Sequence, residues 1–154
     1  MSLAGTRYSV TLASLACHRK ATFGRRNVLN RERFLSKVMG RTGAPDMAGA
    51  EKAARSVLGA LTDTISLAEA HDLASQLPIG PREAVIDHIG AGPVQKMDMA
   101  TFGERVRSDL GLDSRGQAER VMRGVFAVLK EAVSPGEIAD IADELSGDLR
   151  GAIL

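Results

Sequence analysis

One stretch of twelve residues occurs twice, and that duplication constrains the chain more than anything else in it. Ser66-Leu67-Ala68-Glu69-Ala70-His71-Asp72-Leu73-Ala74-Ser75-Gln76-Leu77 returns 68 positions later as Ser134-Pro135-Gly136-Glu137-Ile138-Ala139-Asp140-Ile141-Ala142-Asp143-Glu144-Leu145. Each copy opens with Ser-x-x-Glu, the signature of a capping box. The Ser hydroxyl takes an amide of the first helical turn, and the Glu reaches back to the Ser amide. An apolar stripe at helical spacing follows: Leu73, Ala74 and Leu77 in the first copy, Ile141, Ala142 and Leu145 in the second.

The agreement extends on both sides of the motif. Asn30 is placed to cap a helix carrying Phe34, Leu35, Val38 and Met39 and ending before Gly40 and Gly43. Asp46 caps a second helix to about Asp63, with Ala50, Ala53, Ala54, Val57, Leu58 and Leu61 on its buried face. The capping-box helix is third, and Pro78 stops it. Gly80-Pro81 starts a shorter fourth helix holding Ala84, Val85, Ile86 and Ile89, which Gly90-Ala91-Gly92-Pro93 breaks. From Asp98 the order returns. Phe102 and Val106 match Phe34 and Val38, and Gly111 matches Gly43. Glu119, Arg123, Val125 and Leu129 match Glu51, Arg55, Val57 and Leu61, while Arg150, Ala152, Ile153 and Leu154 match Arg82, Ala84, Val85 and Ile86.

The expected fold is therefore all-α: two pseudo-symmetric four-helix repeats packed through their apolar faces into one bundle-like body. Aromatic residues are 3% and Trp is absent, so the core must be aliphatic, which suits helices. The expected organisation is a basic, disordered N-terminal extension over residues 1–28, repeat 1 over 29–90, a linker over 91–97, and repeat 2 over 98–154. Through residue 31 the chain carries six basic residues and no acid, a charge of +6. The rest has 14 basic and 19 acidic residues, a net −5. The apolar run from Val10 to Ala16 is interrupted by Thr11 and Ser14 and is too short for a signal-peptide core. Cys17 is the only cysteine, which excludes an internal disulfide and any cysteine metal cluster. No apolar run is long enough to span a bilayer, so no membrane insertion is expected.

Three pieces of the pattern together resemble the bacterial domain-of-unknown-function family 2267. They are Phe34-Leu35-x-x-Val38, Ala53-Ala54-Arg55-x-Val57-Leu58-x-x-Leu61 and Glu69-x-x-x-Leu73-Ala74-x-Gln76-Leu77-Pro78, each echoed in the second half. The resemblance runs from about Asn30 to Leu154 and implies a small all-helical fold and a bacterial setting. It carries no catalytic residues. The chain departs from the pattern between the halves, where similar members have an aromatic Gly-Trp stretch and this one has Ile86-Asp87-His88-Ile89-Gly90-Ala91-Gly92-Pro93.

Each chemistry-bearing candidate competes with a role in helix architecture. Glu69, Glu137, Asp72 and Asp140 recur as four carboxylates on two equivalent helices, a pattern open to a divalent cation or an acid/base pair. Capping accounts for the two Glu residues, and negative charge is favoured where the two Asp residues sit, near helix N-termini. No metal, cofactor or catalytic residue is therefore assigned. Glu51 with Arg55, and Glu119 with Arg123, are expected as i, i+4 ion pairs. Arg82 and Arg150 could form an anion site, and Arg55 and Arg123 could contact a partner, although such arginines more often pair with a carboxylate or a helix-end carbonyl. His18, His71 and His88 lack a second ligand at helical spacing, which argues against zinc.

The expectation is a non-enzymatic, cytoplasmic interaction module that binds a protein partner or a second copy of itself. The alternatives are a small-ligand or anion-sensing regulatory domain linked to stress, and weak nucleic-acid contact through residues 7–31.

Overall fold

The computed structural model describes residues 29–154, and within them every regular element is an α-helix. In chain order these are α1 (Arg31–Thr42), α2 (Met47–Thr64), α3 (Leu67–Gln76), α4 (Pro81–Ile86), α5 (Met99–Leu110), α6 (Arg115–Ala132), α7 (Pro135–Asp143) and α8 (Gly147–Ile153). None of them is long and apolar enough to cross a membrane. The basic extension, with Cys17 and His18, lies outside the described residues.

The helix boundaries follow from side chains at the ends. Asn30, Asp46, Ser66, Asp98, Ser114 and Ser134 each accept a hydrogen bond from the amide three residues on, which satisfies a donor that the helix itself leaves orphaned. Gly43 and Gly111 end α1 and α5 in the left-handed region, with φ of 79° and 64°. These are corresponding positions of the two halves, and a Cβ there would be strained.

The two 18-residue helices, α2 and α6, form the centre and touch each other. Helix α1 lies against both, most extensively against α6, while α5 packs on both α6 and α2. The first helix of each half thus seats on the long helix of the other. Helices α3 and α4 pack together, as do α7 and α8; α4 rests on α2, α8 rests on α6, and α3 meets α7. The core is continuous across the halves: Phe34, Val38, Val57, Leu61, Phe102, Val106, Val125 and Leu129 are all fully buried. Its aromatic content is small, and Phe102 meets Phe126 edge to face with ring centroids 5.9 Å apart.

Two ion pairs repeat the exchange between halves. Lys37 Nζ on α1 lies 3.0 Å from Glu131 Oε1 on α6, and Arg105 Nη1 on α5 lies 2.6 Å from Asp63 Oδ2 on α2. Lys37 and Arg105 correspond under the 68-residue offset, as do Asp63 and Glu131. Some expectations need correction. The fourth helix is shorter than expected: α4 ends at Ile86, which is exposed, and Ile89 lies in the turn beyond it, while α1 runs on through Gly40 to Thr42 before Gly43 ends it. The expected pair Glu51–Arg55 does not form: Arg31 reaches Glu51 at 2.7 Å, and Asp87 on the neighbouring turn takes Arg55 at 2.9 Å. Glu119 and Arg123 form no ion pair among the described residues; Arg123 is exposed, and such a contact in solvent is worth little.

Helix α1 comes close to α6 at Gly124. A methyl group there would stand 2.7 Å from Thr42 Cγ2 and 2.9 Å from the backbone oxygen of Arg41. Because a backbone atom cannot swing aside as a side chain can, Gly124→Ala is expected to destabilise by roughly 2–3 kcal/mol despite the better helix propensity of alanine. A denaturant midpoint unchanged or raised in Gly124→Ala would show that α1 is free to move off α6.

Candidate acidic joint between the halves

The recurrent stretch forms α3 in one half and α7 in the other, and these helices meet. The hydroxyl half of each cap is as the sequence indicates: Ser66 Oγ accepts from the Glu69 amide at 3.3 Å, and Ser134 Oγ from the Glu137 amide at 3.1 Å. The carboxylate half is not. The Ser66 amide donates to Glu144 Oε1 at 2.6 Å, and the Ser66 hydroxyl donates to Glu144 Oε2 at 3.0 Å. Across the joint, the Ser134 amide donates to Gln76 Oε1 at 2.8 Å. Gln76 and Glu144 occupy corresponding positions, so each half completes the helix cap of the other.

That exchange is the physical reason the local capping-box assignment fails for Glu69 and Glu137. An acceptor from the facing helix has already taken each Ser amide, and the two glutamates are turned into the joint. Replacing both outside acceptors, in Gln76→Ala with Glu144→Ala, is expected to cost about 1 kcal/mol per lost cap and to speed amide exchange at Ser66 and Ser134. Unaltered exchange at both amides would mean that the halves do not cap each other.

Within the joint, one carboxylate oxygen from each of Glu69, Asp72 and Glu137 lies within 4.8 Å of the other two. Glu137 is only 5% exposed, whereas Asp72 opens to solvent. Glu69 Oε1 and Glu137 Oε2 are buried and accept no hydrogen bond among the described residues. Gln76 Nε2 approaches the other Glu137 oxygen, at 3.5 Å. No basic side chain among the described residues pairs with Glu69, Asp72, Glu137 or Asp140, although seven Lys or Arg ion pairs are distributed over the rest of the described body. The cluster is therefore negative, part-buried and uncompensated.

Its electrostatics follow. Burial pushes the Glu137 carboxyl up to about 8, helped by the negative charges of Glu69, Asp72 and Asp140. Burial also raises Glu69, with Asp140, Glu144 and Asp72 adding to it. The geometry can accordingly hold a positive species, a proton or a cation, between the two copies of the motif.

The arginines singled out by sequence lie elsewhere. Arg82 Nε donates to the Leu77 carbonyl at 3.1 Å, closing the end of α3, and Arg150 pairs with Asp143 at 3.1 Å. Arg55 is held by Asp87, and Arg123 is exposed on α6. No hydrogen bond or ion pair joins any of the four to another among the described residues. His71 is exposed on α3; His88 Nδ1 lies 3.2 Å from Asp63 Oδ1, with its ring against Gly59, where an added methyl would meet Nε2 at 2.5 Å.

Beside the joint, Leu67 and Val94 are 56% and 48% exposed and line a shallow pocket with Ile65, Ala70, His88 and Ile89. Leu67 directly follows Ser66, the residue that Glu144 caps, so the outer pocket and the joint share one turn of backbone.

No curated protein matches the chain. The family model described as an uncharacterised conserved protein matches residues 31–152, all eight helices but the last residue of α8, and on that match the chain belongs to the DUF2267 family.

Proposed function

We propose that this protein is a non-enzymatic interaction module of the bacterial cytoplasm, which docks a protein partner or a second copy of itself. In this reading the α3–α7 joint sets how the two helical repeats sit on each other. The observation that carries it is the reciprocal capping of Ser66 by Glu144 and Ser134 by Gln76, which commits the recurrent residues to joining the halves. The docking face is the apolar pocket around Leu67 and Val94, whose first turn is fixed by that same cap. Exposed apolar side chains around a concavity are what a partner's buried anchor requires.

The test is co-purification from the native host with the full chain, followed by reconstitution of any captured protein from purified components. A stoichiometric complex is expected, one that Leu67→Asp with Val94→Asp abolishes while helicity is kept. A strictly monomeric chain that recovers no stoichiometric partner would sink the module. A complex indifferent to the two substitutions would remove this face from it.

The charge of the joint bears on the ligand-sensing alternative. A negative, part-buried cluster favours a cation over an anion, and the four arginines occupied by their own neighbours or solvent lend an anion site no support.

A further inference from the structure

We propose that Glu69, Asp72 and Glu137 are the protein ligands of a site for one hard divalent cation of calcium or manganese size, bridging α3 of the first half to α7 of the second. The inference rests on the reading of this joint as the element that seats the halves, and it adds the ligand. Two observations are independent of each other. Three carboxylate oxygens converge within 4.8 Å of one another, and one of the three residues, Glu137, is 95% buried with Oε2 accepting no hydrogen bond among the described residues.

The donor set selects the ion. All three ligands are carboxylate oxygens, which suit calcium, magnesium and manganese and offer nothing to metals that prefer nitrogen or sulfur. Size then discriminates. Ligands at about 2.3–2.6 Å from a calcium ion can stand up to about 5 Å apart across it, whereas those of magnesium, at about 2.0–2.1 Å, reach only about 4 Å. Three ligands within 4.8 Å of one another fall inside the reach of the larger ion, which also tolerates irregular geometry and sheds water more readily than magnesium. Asp72 faces solvent, so water completes the coordination, and Asp140 adds negative charge from the second half. A site with three protein ligands and open water positions belongs among the weaker sites, with a Kd on the order of 10⁻⁴–10⁻³ M.

The cation would replace the repulsion of like charges by a shared counter-charge, drawing α3 and α7 together at the turn that carries Ser66 and Leu67. Binding would thereby reach the outer pocket through one turn of helix.

The experiment uses the full chain, stripped with chelator, with Ca²⁺, Mn²⁺ or Mg²⁺ titrated at constant ionic strength. Ca²⁺ and Mn²⁺ are expected to raise Tm saturably with one ion bound per chain, and Mg²⁺ to act at least several-fold more weakly. Mn²⁺ should selectively broaden the amide resonances of Ser66, Glu69 and Ser134. Glu137→Gln and Asp72→Asn should each lower affinity tenfold or more while leaving the helical spectrum intact. Glu131→Gln, which removes a carboxylate paired with Lys37 and Arg41 on another face, should not. No saturable shift, or the same affinity in Glu137→Gln, overturns the assignment. If Gln76→Ala with Glu144→Ala speeds exchange at Ser66 and Ser134 but no ion binds, the cation alone is lost. If exchange is also unchanged, the joint itself falls.

Discussion

Leu129→Asp is expected to unfold the chain, and Leu61→Asp to do the same from the corresponding position in the first half. Both leucines are fully buried on the two long helices that meet at the centre of the body. Removing either forfeits roughly 1.5–3 kcal/mol of apolar burial. The carboxylate left in its place must be ionised in a dry interior, or protonated at a penalty, for several kcal/mol more. The sum is comparable with the whole stability of an ordinary domain, about 5–15 kcal/mol. Because α1 seats on α6 and α5 on α2, damage at one site is not confined to one half. Far-ultraviolet circular dichroism is the measurement, with Leu67→Asp as the control: Leu67 is 56% exposed, and its replacement should leave helicity unchanged. A soluble, fully helical Leu61→Asp/Leu129→Asp chain would show that the centre of the body has been misplaced.

What made this core legible in the sequence was local. Helical spacing selected Ala50, Ala53, Ala54, Val57, Leu58 and Leu61, all of which are buried, and Asn30, Asp46, Ser66 and Ser134 cap the helices they precede. Such signals depend on a few neighbouring residues, so they survive without knowledge of the partner helix. The joint was not legible, because its decisive bonds link residues 58 and 78 positions apart. A capping box assigns Glu69 to Ser66 on local grounds; the tertiary competitor Glu144 wins because it reaches both the amide and the hydroxyl of Ser66 from the facing helix. A usable signal was nevertheless present. Gln76 and Glu144 are acceptors at positions 68 residues apart, while Lys37 with Arg105 and Asp63 with Glu131 keep their charge signs at the same offset. Residues that retain chemistry in both copies without a local role are candidates for contacts between the copies.

Glu137→Gln is expected to stabilise the metal-free protein at neutral and alkaline pH, the reverse of what deleting a helix-capping carboxylate would do. With a folded value of about 8 against an ordinary 4.5, the native state holds a proton that the unfolded chain releases. Stability therefore falls as pH rises between those two values; it is unaffected by this group below the lower one and level again above the upper one. A tenfold difference in proton affinity between the folded and unfolded chain is worth about 1.4 kcal/mol. Halving the total for water that enters beside Asp72 leaves a swing of roughly 2–3 kcal/mol. Glutamine keeps the shape and cannot ionise, and its amide can donate to Glu69, so the variant should lose this slope. The two curves should converge near pH 4.5 and diverge to about 2–3 kcal/mol by about pH 8.5. Glu69, also raised by burial, adds a slope of the same sign to both proteins, so the difference between the two curves is what reports on Glu137. Hydrogen bonds from Thr101, Arg107 and Lys37 hold Asp98, Glu104 and Glu131 below their ordinary values, so their contributions are lost only as pH falls into the acid range. Denaturant unfolding of both proteins across this range, in chelator, decides the matter. Parallel curves would mean that Glu137 is ionised in the folded chain and that its carboxylate finds compensation the joint does not contain. Divergence would place a titrating acid between the two copies of the duplicated stretch, where a capping box alone would have placed only a helix start.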